Sequence, residues 1–206
     1  MLSRRQILTA MLAASAALAL PRLGFAQSVA GPDAVRQATD FVGGVTGKLV
    51  GIVNGGAALA EKQRALQAIV DASVAVDDVA RFCLGRFWRI ATPEQQKDYL
   101  RLFREVLTTN ITGRVGDYAG VKLTLSRSQP REDGVMVGTT LERPNAPASP
   151  VDWLVEIGAG GPKIVDVIAE GTSLRLTQRS DYASFIARNG NNVQALIDAM
   201  KQQASR

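Results

Sequence analysis

The sequence predicts an α+β domain in which helices come first, an antiparallel meander follows, and helices return at the end. Three observations carry this. Apolar residues recur with a helical period through the first half of the chain. The period drops to two between Val121 and Ala169, and the helical period resumes from Tyr182 onward.

The chain opens on a basic start followed by an apolar stretch, Leu8 to Leu20, which is too short to span a bilayer convincingly. Residues 1–26 therefore read as a signal peptide, with small residues at Gly24 and Ala26 and cleavage between Ala26 and Gln27. Ser3-Arg4-Arg5-Gln6-Ile7-Leu8 resembles the twin-arginine export pattern, with Ile7 in place of the aromatic and Thr9 in place of the basic residue. The general secretory route is the alternative. Both routes deliver a soluble protein to the periplasm, and residues 27–206 form one domain.

From Asp33 to Ile52 the positions Val35, Ala38, Phe41, Val42, Val45, Leu49 and Ile52 draw one helical stripe, closed by Asn54-Gly55-Gly56. A second helix runs from about Ala58 to Ala72 with Leu59, Leu66, Ile69 and Val70 on one side, and a third from Asp77 to Leu84, stopped by Gly85. Thr92-Pro93-Glu94-Gln95 combines an N-cap, a proline where no amide is needed and a capping-box glutamine. The helix it starts is predicted to reach about Val115, with Tyr99, Phe103, Val106, Leu107 and Ile111 on its apolar face and Lys97, Arg101, Arg104 and Glu105 on its wet one. Four strands follow. Val121, Leu123 and Leu125 mark the first, and Val135, Val137 and Leu141 the second, after a turn at Arg131 to Gly134. A proline-rich loop, Pro144 to Pro150, leads to the third, where Val151, Trp153, Val155 and Ile157 alternate with Asp152, Leu154 and Glu156. Lys163 to Ala169 is the fourth. Short connections make this a meander with one apolar face. Two helices close the chain, one carrying Tyr182, Phe185 and Ile186, the other Val193, Leu196, Ile197 and Met200.

Composition removes several function classes. The 24 Lys and Arg residues exceed the 19 Asp and Glu by five. Arg4, Arg5 and Arg22 lie in the leader, so the remainder stands at 21 against 19, a balance of +2. No basic stripe with interleaved aromatics remains, which argues against nucleic acid as a partner. The chain has no histidine, so neither a Ser-His-Asp triad nor a His-ligated metal site exists. The single cysteine, Cys83, sits between Phe82 and Leu84 and reads as a small buried hydrophobe. Nothing resembles a Walker loop. No catalytic residue, metal or cofactor is assigned.

Three runs resemble the MlaC, or toluene-tolerance, family of periplasmic phospholipid-binding proteins. The first is Leu84-Gly85-Arg86-Phe87-Trp88-Arg89 with Ala91 to Gln95, Tyr99, Phe103-Arg104-Glu105 and Leu107. The second is Asp166 to Leu174, and the third runs from Gly190 through Leu196-Ile197. The paired-arginine leader departs from many relatives. The resemblance implies a cone similar to nuclear transport factor 2 (NTF2-like) with added helices and an apolar pocket between sheet and helices. It implies a carrier that shuttles phospholipid between an outer-membrane lipoprotein–porin complex and an inner-membrane ABC transporter complex with an MCE-type subunit, maintaining outer-membrane lipid asymmetry. A monomer is the default for a soluble shuttle that docks at both membranes.

A carrier needs a dry lining and no reactive group. The inward sets that supply one are Phe103, Leu107 and Ile111 on the long helix and Leu123, Val135, Val137, Trp153 and Val155 on the sheet. Trp88 and Tyr118 are candidates for the pocket mouth. Arg86, Arg89 and Arg114 are candidates for a phosphate headgroup. Asp166, inside an apolar run, points to a buried pair with an arginine. Two alternatives stand beside this reading. One is a carrier of a hopanoid or hydrocarbon-like ligand. The other is an NTF2-like enzyme with Asp166, or Asp117 with Tyr118, as base.

Overall fold

A computed structural model describes residues 31–113 and 115–204. The leader and its cleavage site lie outside the described residues, as does Arg114. Helix α1 (Pro32–Asn54) is followed by α2 (Leu59–Ser73), α3 (Val76–Leu84), a 3-10 segment (Gly85–Arg89) and α4 (Pro93–Thr112). A second 3-10 segment (Val115–Tyr118) leads into strands β1 (Lys122–Arg131), β2 (Gly134–Arg143), β3 (Ala146–Gly158), β4 (Gly161–Ala169) and β5 (Thr172–Ser173). Helices α5 (Leu174–Arg188) and α6 (Val193–Ala204) complete the chain. The five strands pair in sequence order, each antiparallel to the next. The α+β order expected from the sequence is the order found.

Local chemistry explains the boundaries. At α4 the Thr92 hydroxyl accepts from the Gln95 amide (3.2 Å), and the Gln95 side chain accepts from the Thr92 amide (3.1 Å), a reciprocal capping box. This helix stops at Thr112, earlier than Val115, because the chain tightens into the 3-10 segment before β1. The Pro144–Pro150 stretch is a correction to the sequence reading. Pro144-Asn145, with Asn145 at φ 61°, forms a two-residue turn, and β3 begins at Ala146. Its first residues pair with β2, Leu141 opposite Ser149 and Thr140 opposite Pro150. They tolerate two prolines because β3 overhangs β4 there, whose pairing begins only at Val151 opposite Ala169. A fifth strand, Thr172–Ser173, extends the four read from the pattern. It is too short to show a period.

Two apolar cores result. The first joins α3, α4, α5 and α6 around Tyr99, Leu102, Phe103, Ile186 and Ile197. The second lies where α1 crosses the sheet, with Ala38, Val42 and Val45 over Val135, Val137, Val155 and Ile164. Arg104 ties the helices together, reaching Asp71 on α2 (2.8 Å) and Asp77 on α3 (3.0 Å). At the β1–β2 turn, Gly134 (φ 140°) brings its backbone so close to β3 that a Cβ would lie 2.3 Å from the Val155 carbonyl oxygen.

Candidate functional site

Between α1, α2 and α4 on one side and the sheet on the other lies a cavity of about 500 Å³. It exists because α1 is held at two places. Its middle presses on β2 and β3 through Ala38 and Val42. Its C-terminal end is fastened by Asn54, whose side chain donates to the Val121 carbonyl (2.9 Å) and accepts from the Gly120 amide (2.8 Å). The stretch from Val45 to Val53 spans the gap and lines the cavity instead of filling it. The far end is closed where the α2–α3 junction meets β4. There the Ala75 amide donates to the Ile164 carbonyl (3.0 Å), and Lys163 donates to the Ala72 carbonyl.

The lining is apolar almost throughout. Val45, Leu49 and Val53 come from α1, Leu66, Ile69 and Val70 from α2, and Leu107 and Ile111 from α4. The sheet contributes Leu123, Leu141, Val151, Trp153 and Val167. Trp153 presents its ring to the cavity while its indole N–H donates to the Thr139 hydroxyl (3.0 Å), which itself donates to the Val151 carbonyl (2.8 Å). The polar edge of the indole is therefore satisfied without facing the cavity. Half-exposed lining gathers at one end of the sheet, where Leu141, Val151 and Ala169 are brought together by strand register. Exposed Ile111, Leu174 and Asn110 complete that rim with Tyr118. Arg143 stacks its guanidinium 5.9 Å from the Tyr118 ring.

Asp166 and Arg175 are the two charged residues in the lining. Asp166 is buried and fully engaged by its own chain. It accepts from the Val167 amide (2.8 Å), the Ser173 hydroxyl (2.5 Å) and the Arg175 amide (3.1 Å), with the Arg175 Nε at 3.4 Å. The Arg175 guanidinium reaches on to Asp133 at the β1–β2 turn (3.0 Å). This carboxylate fastens β4 to the start of α5, and the buried pairing with arginine anticipated for it is present. Asp117 is exposed and lies outside the cavity lining. Among the described residues no group of three or more His, Cys, Asp or Glu side chains could hold a metal ion. Nor is any described helix long and apolar enough to cross a membrane.

The wall candidates divide. Leu107, Ile111, Leu123 and Trp153 line the cavity, and Tyr118 stands at its rim. Phe103 does not. One turn before Leu107, it packs on Tyr99 (ring centroids 5.9 Å apart) and Tyr182 (6.4 Å) in the helical core. Val135, Val137 and Val155 are corrected too, because α1 lies directly on them and leaves no space. Trp88 is not at the mouth, and Arg86 and Arg89 do not approach the cavity. All three line a separate surface groove beside the 3-10 segment Gly85–Arg89. Sequence reasoning missed the α1 and α2 wall. The stripe Leu66, Ile69 and Val70 signalled an inward face for α2, but a stripe does not say whether that face meets atoms or space.

A family model described as MlaC protein matches residues 45–202. The toluene tolerance protein ttg2D of Pseudomonas putida is 26% identical over 137 residues, which span 65% of this chain and 63% of that protein. The structure of the phospholipid-binding protein of Ralstonia solanacearum, determined with a phospholipid, superposes with a TM-score of 0.72. It is 21% identical, and the match covers 82% of this chain and 97% of the other.

Proposed function

The chain belongs to the MlaC family, and from that premise we propose that it is a periplasmic lipid carrier which holds phospholipid acyl tails in the cavity and makes or breaks no covalent bond. The observation that carries this is the cavity itself, about 500 Å³ bounded by aliphatic side chains, with its one ion pair tied up by backbone and neighbouring side chains. Such a lining suits hydrocarbon and offers no free acid or base to a reacting group. The Ralstonia relative, matched over nearly its whole length, is described with a phospholipid bound.

Energetics favour a shuttle over a trap. Each buried methylene gains about 0.8 kcal/mol, so two tails with ~30 methylenes gain roughly 20 kcal/mol gross on leaving water. A bilayer gives the same tails the same gain. Exchange between carrier and membrane is then close to balanced, and direction comes from the complexes at either end. We assign those ends to an outer-membrane lipoprotein–porin complex and an inner-membrane ABC transporter complex with an MCE-type subunit. The leader at residues 1–26 provides export to the compartment between them.

Native mass spectrometry of the purified protein, followed by solvent extraction, tests this. A stoichiometric phospholipid is expected, and its headgroup defines the cargo. A hopanoid or hydrocarbon in its place would redefine the cargo but keep the carrier. Protein that is empty and takes up no lipid from vesicles would refute it.

A further inference from the structure

The run Leu84 to Arg89 has no part in the cavity, yet it builds a second concave feature. A groove of about 380 Å³ is lined by Arg81, Phe82, Gly85, Arg86, Trp88, Arg89 and Arg179. Four guanidinium groups enter it and no carboxylate does. Arg81 is paired with Asp78 (3.1 Å), whereas among the described residues no acid pairs with Arg86, Arg89 or Arg179. Three of the four are placed by aromatic faces: Arg81 is 5.5 Å from the Trp88 ring, Arg86 4.9 Å from Phe87 and Arg179 4.9 Å from Phe82. Gly85, at φ 57°, makes room for the last of these. A Cβ there would lie 3.1 Å from Arg179 Nε.

Two exposed aliphatic residues neighbour these arginines in the chain. Ile90, next to Arg89, is 63% exposed, and Leu176, one helical turn from Arg179, is 55% exposed. The groove also adjoins the cavity. Phe82 carries Arg179 on the groove side and Arg175, a cavity-lining residue, at 4.6 Å. Leu174, 51% exposed at the cavity rim, immediately precedes Arg175.

We propose that this groove, with Ile90 and Leu176 beside it, is a bilayer-docking surface whose arginines bind the phosphates of anionic phospholipid headgroups. Guanidinium groups with a tryptophan and isolated aliphatics form the composition that settles at a membrane interface, the charges among headgroups and the apolar side chains at the acyl boundary. Docked this way, the carrier holds the Leu174 rim next to the lipid surface. The proposal gains its purpose from the carrier reading, but its test is independent of it.

The test is vesicle flotation of protein expressed from the full chain, at about 0.15 M salt, where the Debye length is ~8 Å. One vesicle set is phosphatidylcholine alone, and the other holds equal parts phosphatidylcholine and phosphatidylglycerol. Binding to the anionic set alone, weakened by added salt, is expected. Arg86→Gln with Arg89→Gln should weaken it roughly 30-fold, from about 1 kcal/mol per basic residue at an anionic surface. Arg86→Lys with Arg89→Lys should retain most of it, since a diffuse anionic surface reads charge more than fork geometry. Co-purified lipid, measured in parallel, should be unchanged in both variants, which separates loss of docking from loss of fold or cavity. Equal binding to both vesicle sets, no binding, or full binding by the glutamine variant would overturn the proposal. So would loss in the lysine variant together with displacement by a Glu-rich peptide, which would assign the groove to carboxylates of a protein partner.

Discussion

Helix α4 divides the molecule into a solid half and a hollow one. Through Tyr99, Leu102, Phe103 and Val106 its apolar face packs against α3, α5 and α6. One and two turns beyond Phe103, Leu107 and Ile111 face the cavity. In the solid half even polar groups are sealed. The Tyr99 hydroxyl donates to the Ala80 carbonyl (2.8 Å), and burial raises its pKa. Burial, with the Asp166 charge adding to it, pushes the Cys83 thiol up to about 12. In the hollow half the same aliphatic residue types border open space. One stripe on one helix thus serves two purposes, and the elements converging on it decide which.

Phe103→Ala should have the largest effect on the solid half. It removes a ring from the solid half, where neighbours relax only partly, so a loss of about 3–5 kcal/mol is expected in denaturant unfolding. A loss below about 1 kcal/mol would mean that the helical half is not close-packed. The converse change is Leu123→Trp, which adds bulk on the hollow side. Overpacking destabilises a filled core, but here the indole enters space. Delipidated protein should melt within about 3 °C of the parent, a difference under roughly 1 kcal/mol. Co-purified lipid should fall severalfold. Unaltered lipid content with unaltered melting would move the binding site away from β1.

How far the sequence disclosed this follows from what a pattern encodes. Helix stripes, the capping box at Thr92 and the period-two strands depend on local chemistry, and the elements appear where those signals stand. Strand β5 did not show because two residues have no period. The start of β3 was hidden behind Pro147 and Pro150, which read as loop until the missing β4 partner is known. The site was half legible. Leu107, Ile111, Leu123 and Trp153 point inward and line the cavity, but Phe103, Val135, Val137 and Val155 point inward too and do not line it. Nothing in an apolar residue records whether the opposing element touches it. The decisive contacts are long-range ones, above all the Asn54 clasp on Gly120 and Val121, which fixes the end of α1 beside the start of β1. The arginines fared worst. Arg86 and Arg89 flank apolar elements in sequence, which suggests a place beside the pocket, but the turn at Gly85 sends them to the other groove.

The finest test compares two residues of one helix, where the larger deletion should cost less. Val106→Ala removes two carbons from the solid half. At about 0.8 kcal/mol per methylene, plus a void and minus some recovered helix propensity, roughly 1.5 kcal/mol of stability should be lost. Ile111→Ala removes three carbons, yet Ile111 is 37% exposed on the cavity wall. Few contacts disappear, and alanine is the better helix former, so delipidated protein should change by less than about 0.5 kcal/mol. With lipid bound the order should move. Tails then stand where the void was, and Ile111→Ala loses whatever share of ligand linkage its contacts supplied, while the Val106→Ala loss stays the same. Urea unfolding of both variants, with and without lipid, reads all four values. A lipid-independent Ile111→Ala cost as large as that of Val106→Ala would show that the end of α4 belongs to the packed core and does not line a site.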